Sequence, residues 1–352
     1  MTDRRIVDDV RRLLGDPGEL AERLSEPSLE RLPGPSDSEA IDAATRRERD
    51  QVVGDGVNGL LKMAEGRTDE LDDDELFGLE AIVALEGRPA ILIQGGDFLQ
   101  PPRNWAHLTR ARAEIREAIA RAGRIEVAGH VDHEWLGTAS LVGPRTIMTN
   151  RHVAQEFCAE PRRGHFRQGR RASGGWTFRP GMTSRIDFLK ERGSTSSSEF
   201  AITGVIGIHE ERDLALLRVE GTSSEGAALL DPLTVASREP PDIRGREVYV
   251  VGYPAWDGRR NEPEAMRRIF SDVYDCKRLQ PGRAVGYSDR LSALEYDCST
   301  LGGNSGSPVF DLASHQVIGL HFGGKYGHGN YAVPLWMLTD DPLLAEGGIN
   351  FH

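Results

Sequence analysis

Cysteine is scarce in this chain. Three thiols, Cys158, Cys276 and Cys298, are spread over 352 residues. Three cannot build the disulfide framework of a small secreted domain. Cys276 and Cys298 fall on strands that could be neighbours, but free buried thiols are the expectation. Long apolar runs are missing too, and none approaches the roughly 18 residues that span a bilayer. The N-terminus, Met1-Thr2-Asp3-Arg4-Arg5-Ile6, lacks the apolar core of a secretory signal, so a cytoplasmic location is expected. Nor is there a surplus of positive charge. The formal net charge is −12, of which residues 1–124 carry −8 and the rest −4. That balance disfavours nucleic acid as a partner.

What is present points to acyl transfer. In Gly303-Asn304-Ser305-Gly306-Ser307-Pro308 a serine stands among glycines, in a turn that leads into the apolar run Pro308-Val309-Phe310. Glycine admits backbone conformations closed to other residues, so the chain can come close to a substrate carbonyl. The amides of Gly303 and Ser305 can then point at an oxygen that becomes charged. A serine hydroxyl needs a base, and the base needs an orienting group. Thr149-Asn150-Arg151-His152-Val153 offers His152 at a strand exit, after Thr138–Val142 and Thr146–Met148. Arg212-Asp213-Leu214-Ala215-Leu216-Leu217 offers Asp213 at the head of an apolar strand. Taken alone, Asp213 reads as a solvated turn carboxylate and His152 as a packed or surface histidine. Together, the order His152, Asp213, Ser305 is one of the three known chain orders of the triad.

With these segments quoted, residues from about 125 to 340, roughly sixty per cent of the chain, resemble a chymotrypsin-fold (trypsin-like) serine peptidase. The branch most similar is that of the bacterial glutamyl endopeptidases. Gly252-Tyr253-Pro254, the run Tyr296–Phe310 and Val317-Ile318-Gly319-Leu320-His321-Phe322-Gly323-Gly324 carry the resemblance further. It implies a mainly β fold of two antiparallel six-stranded β-barrels, about 125–225 and 235–340, within a protease domain of 125–345. An α-helical N-terminal region, 1–124, precedes it. The implied activity is endopeptidase cleavage of polypeptides, with catalytic His152, Asp213 and Ser305, an oxyanion hole at Gly303 and Ser305, and no cofactor. The lack of a secretory signal departs from the family's typically secreted members.

The same resemblance bears on specificity and activation. Ser299 stands where trypsin-like enzymes that cut after Lys or Arg carry an aspartate, so no partner for a basic side chain is offered. His321 and Thr300 match the pocket histidine and threonine of the glutamyl endopeptidases. An imidazole and a hydroxyl can bind a Glu side chain by hydrogen bonds, more strongly if the imidazole is charged. The plainer reading of His321 is a core histidine filling the pocket wall. The backbone of Phe322, Gly323 and Gly324 is expected to pair with an extended peptide as an added strand. Asn304 replaces the aspartate that in trypsin-like zymogens pairs with a freed N-terminal ammonium. Asparagine carries no charge, so trypsin-style activation by cleavage is not expected.

The N-terminal region reads as helical. Ile6, Val7, Val10, Leu13 and Leu14 recur at helical spacing. Ser36 with Glu39 reads as a capping box for a helix running toward Gly66, and the acidic cluster Asp69–Glu75 as a solvated loop and helix start. Arg88–Gln94 reads as extended. Trp105, Leu108, Ala111, Ile115 and Ile119 form an apolar stripe of one helix ended by Gly123, expected to pack on the first barrel. The region could be a pro-segment, a recruiting module for a protein partner, or a support. The basic stretch Arg162–Arg171 reads as an exposed loop, and His328 as a residue of the cleft rim. His130 and His133 lack further ligands at metal spacing and read as a surface pair, so no metal is expected. Two alternatives to a general peptidase stand beside it: a protease-fold regulatory or binding module, and a self-processing enzyme acting mainly on its own N-terminal region.

Overall fold

The computed structural model describes residues 2–25, 43–160, 175–256, 273–325 and 329–352. The Ser36–Glu39 box, the stretch Arg162–Arg171 and His328 lie outside them. The chain divides into two compact units. One takes the N-terminal residues up to Ile91 together with Leu99–Ala111; the other takes Leu92–Phe98, Arg112–Trp256 and Tyr274–His352. No helix among the described residues is long and apolar enough to cross a membrane.

The first unit is helical: α1 (Thr2–Asp9), a wide turn at Val10–Leu14, α2 (Pro17–Ser25), α3 (Ala43–Ala64) and α4 (Asp73–Ile82). The expected apolar positions Ile6, Val7 and Val10 join Leu20, Leu60, Leu79 and Ile82 in one buried cluster. Each fully buried leucine or isoleucine contributes roughly 1.5–3 kcal/mol. Helices α3 and α4 cross at Gly56 and Gly78, where a Cβ on Gly78 would lie 2.1 Å from the Gly56 nitrogen. The acidic cluster does start a helix, by a specific device. The Asp72 carboxylate accepts from the Glu75 amide at 2.9 Å, and the Glu75 carboxylate accepts from the Asp72 amide at 3.0 Å. That reciprocal pair satisfies two amides left open at the helix start.

The stripe from Trp105 to Ile119 is not one helix, which corrects the expectation. Arg103–Ala111 winds as a 3-10 segment and α5 (Arg112–Ile119) follows as an α-helix. The spacing carries the reason: Trp105, Leu108 and Ala111 are three apart, the 3-10 repeat, whereas Ala111, Ile115 and Ile119 are four apart. The two pieces also part company. The Trp105 indole donates to the Gly87 carbonyl at 3.0 Å within the helical unit, while α5 groups with the barrels. Gly123 does not end the helix either. It lies inside a strand that begins at Ala122, paired with Ala139.

The second unit is built of antiparallel strands. β1 (Ile91–Gln94) falls in the segment expected to be extended and pairs with β2 (Asp97–Phe98) in a hairpin before α5. Then come β3 (Ala122–Ala128), β4 (Trp135–Gly143) and β5 (Thr146–Thr149), the short helix α6 (Arg151–Phe157), a side hairpin β6 (Cys158–Ala159) and β7 (Thr177–Phe178), then β8 (Thr183–Asp187), β9 (Glu199–Ile208) and β10 (Ala215–Val219). Six of these close a barrel in the order β10-β5-β4-β3-β8-β9, filled by Ile125, Leu141, Ile147, Ile186, Phe200 and Leu217. β11 (Glu247–Gly252), β12 (Arg278–Ser288), β13 (Ala293–Tyr296), β14 (Pro308–Asp311), β15 (Val317–Lys325) and β16 (Gly329–Pro334) form the second barrel. It closes through pairing of β11 with β12, and the β1–β2 hairpin extends its sheet beyond β12. A short helix, α7 (Pro342–Glu346), follows. The fold is therefore mainly β, with two closed six-stranded barrels, as expected. All three cysteines are free and buried.

Candidate active site

Strand register brings His152 and Asp213 together. β5 and β10 run antiparallel with Thr149 opposite Ala215, so His152 leaves one strand end three residues on and Asp213 enters the other two residues before. The motif residues between them complete the join. The Asn150 side chain donates to the Asp213 carbonyl at 2.9 Å, and Arg151 donates to the Arg212 carbonyl at 2.5 Å. Asp213 then grips His152 with both carboxylate oxygens. Oδ1 accepts from the His152 amide at 3.0 Å, and Oδ2 lies 2.7 Å from Nδ1. Burial pushes the Asp213 carboxyl up, but the His152 ring, the His152 amide and Arg151 outweigh it and hold the group below its ordinary value. The imidazole is half exposed.

Ser305 sits in the turn before β14, and this turn is tied to both barrels. The Thr138 amide donates to the Ser305 carbonyl at 2.8 Å, and the Gly306 amide to the His321 carbonyl at 2.9 Å. The Asn304 amide bonds the Leu301 carbonyl and the Ser307 amide the Asn304 carbonyl. Among the described residues, the amides of Gly303 and Ser305 have no acceptor, so this turn can bind an oxygen from outside. Gly303 adopts φ +81°, and a Cβ there would lie 2.4 Å from the Tyr253 carbonyl and 2.5 Å from the Trp135 ring. Only glycine fits.

A family model for the trypsin-like peptidase domain matches residues 137–320, just over half of the chain. This chain belongs to the trypsin-like peptidase domain family. It is 28% identical over 200 residues to a glutamyl endopeptidase of Staphylococcus epidermidis, covering 55% of this chain and 57% of that one. It is 25% identical over 201 residues to a glutamyl endopeptidase of Staphylococcus aureus strain MW2, covering 56% and 50%. The chain thus spans about half the length of the curated relatives it matches. Among solved structures, the active form of the Rv3671c protease from M. tuberculosis is similar at 17% identity and a TM-score of 0.42, covering 67% of this chain and 84% of that one.

The candidate pocket residues Ser299, Thr300 and His321 are each held by partners in the second barrel. His321 is buried, and its Nδ1 meets the Tyr296 hydroxyl at 2.5 Å. Burial, with a smaller contribution from His152, pushes its pKa down to about 3, against an opposing effect of Asp213. That burial favours the neutral imidazole. The Thr300 hydroxyl donates to Asn330 Oδ1 at 2.6 Å, so its proton is already used. Asn330 in turn donates to the Cys298 carbonyl at 2.5 Å. The Ser299 carbonyl accepts from the Gln280 side chain. Phe322, stacked on Tyr331, and Gly323 and Gly324 lie on β15 beyond Leu320, where its pairing with β14 ends. That side of the strand has no neighbouring strand among the described residues.

Asn304 is fully buried, and its Nδ2 has no partner among the described residues. The rings of His130 and His133 lie 5.2 Å apart and tilted by 30° in the β3–β4 hairpin, with His130 Nδ1 accepting from two amides of its own loop. No group of three or more His, Cys, Asp or Glu among the described residues could hold a metal. Sequence reasoning missed Asn330, Tyr296 and Thr138 as members of the site. Tyr296 lay inside a matching run, but Asn330 and Thr138 are unremarkable strand polar residues whose roles come from tertiary partners.

Proposed function

We propose that this protein is a serine endopeptidase that cleaves polypeptides through an acyl-enzyme, with Ser305 as nucleophile, His152 as base and Asp213 as its orienting group. The observation that carries the reading is the two-point grip of Asp213 on His152. A carboxylate at Nδ1 keeps the proton there and leaves Nε2 bare as the acceptor of the Ser305 proton. In the forward step, Ser305 Oγ bonds to the substrate carbonyl carbon as His152 takes its proton. The carbonyl oxygen becomes an oxyanion, which the open amides of Gly303 and Ser305 are suited to bind. His152 then gives its proton to the leaving amine as the peptide C–N bond breaks. Water repeats the sequence on the acyl-enzyme, and Ser305 regains its proton. The open side of β15 at Phe322–Gly324 supports an extended substrate added as a strand.

At the residue before the scissile bond we infer a hydrogen-bonding side chain, glutamate foremost. We take the Tyr296 hydroxyl as the donor to Nδ1, which puts the single proton of neutral His321 on Nε2, where it can donate to a carboxylate or an amide oxygen. A neutral pocket distinguishes charge poorly, so Gln is expected to be cut beside Glu. A peptide-library profile with neither enriched would sink this inference. Three free buried thiols support a reducing, intracellular setting; cell fractionation placing the protein wholly outside the cytoplasm would refute it. The test of the chemistry is labelling with a fluorophosphonate probe. Wild type should label and Ser305→Ala should not, while both fold alike; labelling retained in the variant refutes the nucleophile.

A further inference from the structure

We propose that Thr138 is a positioning residue for the oxyanion hole, acting with the Ala255 amide to hold the peptide planes on either side of Gly303. This rests on the reading of the Gly303 and Ser305 amides as the oxyanion donors. A trans peptide plane is rigid, and its N–H and C=O point in opposite directions. The plane between Gly302 and Gly303 carries the Gly303 amide on one side and the Gly302 carbonyl on the other. Ala255 donates to that carbonyl at 2.7 Å, which turns the Gly303 amide away from the 253–256 segment. The next plane carries the Gly303 carbonyl, which accepts from the Thr138 hydroxyl at 2.9 Å. With both planes anchored, Gly303 is kept at its left-handed φ of +81°. Rotating the first plane would break the Ala255 bond and aim a carbonyl oxygen, with its partial negative charge, at the place where the oxyanion must form.

Thr138 is well placed for this. It is fully buried within β4 of the first barrel, yet it meets the second barrel at three points. Its hydroxyl donates to Gly303 and accepts from the Tyr253 amide at 3.3 Å. Its own amide donates to the Ser305 carbonyl at 2.8 Å. Tyr253 and Ala255 belong to one segment, so the hydroxyl bridges the two strands of chain that set the Gly302–Gly303 plane. A valine has the same shape as threonine and keeps the amide bond to Ser305 but neither bond of the hydroxyl; a serine keeps the hydroxyl and loses only a methyl.

The test compares Thr138→Val, Thr138→Ser and Ala255→Pro with wild type and Ser305→Ala in the full-length protein, using a chromogenic peptide and the fluorophosphonate. Removing an oxyanion donor outright costs about 10²–10³ in kcat, so loosening one should cost about 10- to 100-fold. We expect that fall in kcat for Thr138→Val, with KM and the acid limb of the pH–rate profile unchanged and Thr138→Ser within about threefold of wild type. Ala255→Pro removes the other donor and should fall similarly; it decides the matter alone if Thr138→Val does not fold. Folded Thr138→Val and Ala255→Pro proteins with wild-type kcat overturn the proposal, and so does a Thr138→Ser variant as impaired as Thr138→Val. A wild type that labels no faster than Ser305→Ala overturns the underlying reading instead.

Discussion

The charge state of His321 sets a measurable dependence of stability on pH. The folded protein holds this imidazole neutral, with its pKa down from an ordinary 6.5 to about 3, chiefly because it is buried. The folded value lies below the unfolded one, so on acidification the unfolded chain takes up a proton that the folded chain refuses. The stabilisation is complete above the unfolded pKa and is lost as pH falls from there toward the folded pKa. At about 1.36 kcal/mol per pKa unit, moving from pH ~7.5 to pH ~5 should cost ~2 kcal/mol through this one group. His321→Gln removes the titration and keeps a polar atom for the Tyr296 hydroxyl. Urea unfolding of both proteins at both pH values isolates the contribution as a difference of differences. Asp213, whose folded pKa is also lowered, loses stability in the same direction at lower pH, and it does so equally in both proteins. A wild type and a variant that lose the same stability within about 0.5 kcal/mol would refute a buried neutral imidazole. They would also reopen the charged form of the pocket.

Other consequences are quicker to check. Asp213→Asn should leave the fold intact and lower kcat by about 10³- to 10⁴-fold, because the neutral amide cannot hold the His152 proton on Nδ1; a loss under about tenfold would contradict the orienting role. Asn304 is uncharged and buried, so the full-length protein should label with a fluorophosphonate at the same rate before and after limited proteolysis, and a protein inert until cut would disprove this. The thiols should resist labelling by an aromatic disulfide in the native state and all react after unfolding. Burial pushes Cys158 up to about 12 and Cys276 upward as well, and Cys298 is 3% exposed. Rapid native-state reaction of any one of them would show that its covering is loose.

The parts of the site legible in the sequence are those whose chemistry needs a particular residue at a strand end. Ser305 among glycines, His152 after a strand and Asp213 before one each carry a local signature, and register needs only to bring Thr149 opposite Ala215 to unite the last two. The two barrels were legible only through the family resemblance that these motif segments carry, not through the pattern of the strands themselves. The helix count was less so. Positions 105, 108 and 111 also fit a stripe on an α-helix, so the change of spacing from three to four that marks the 3-10 segment reads as one helix in the sequence. The protonation of His321 was beyond local reading, because the same residue on an exposed edge would titrate ordinarily; it is the burial around it that removes the charge. Thr138 shows the limit most clearly. A threonine in a strand is ordinary, and its spacing to Gly303 is 165 residues. Its importance follows from closure of the second barrel against the first, which delivers the Gly303 carbonyl to the Thr138 hydroxyl. Residue types thus name the reacting groups, and long-range register decides which unremarkable neighbours must hold them still.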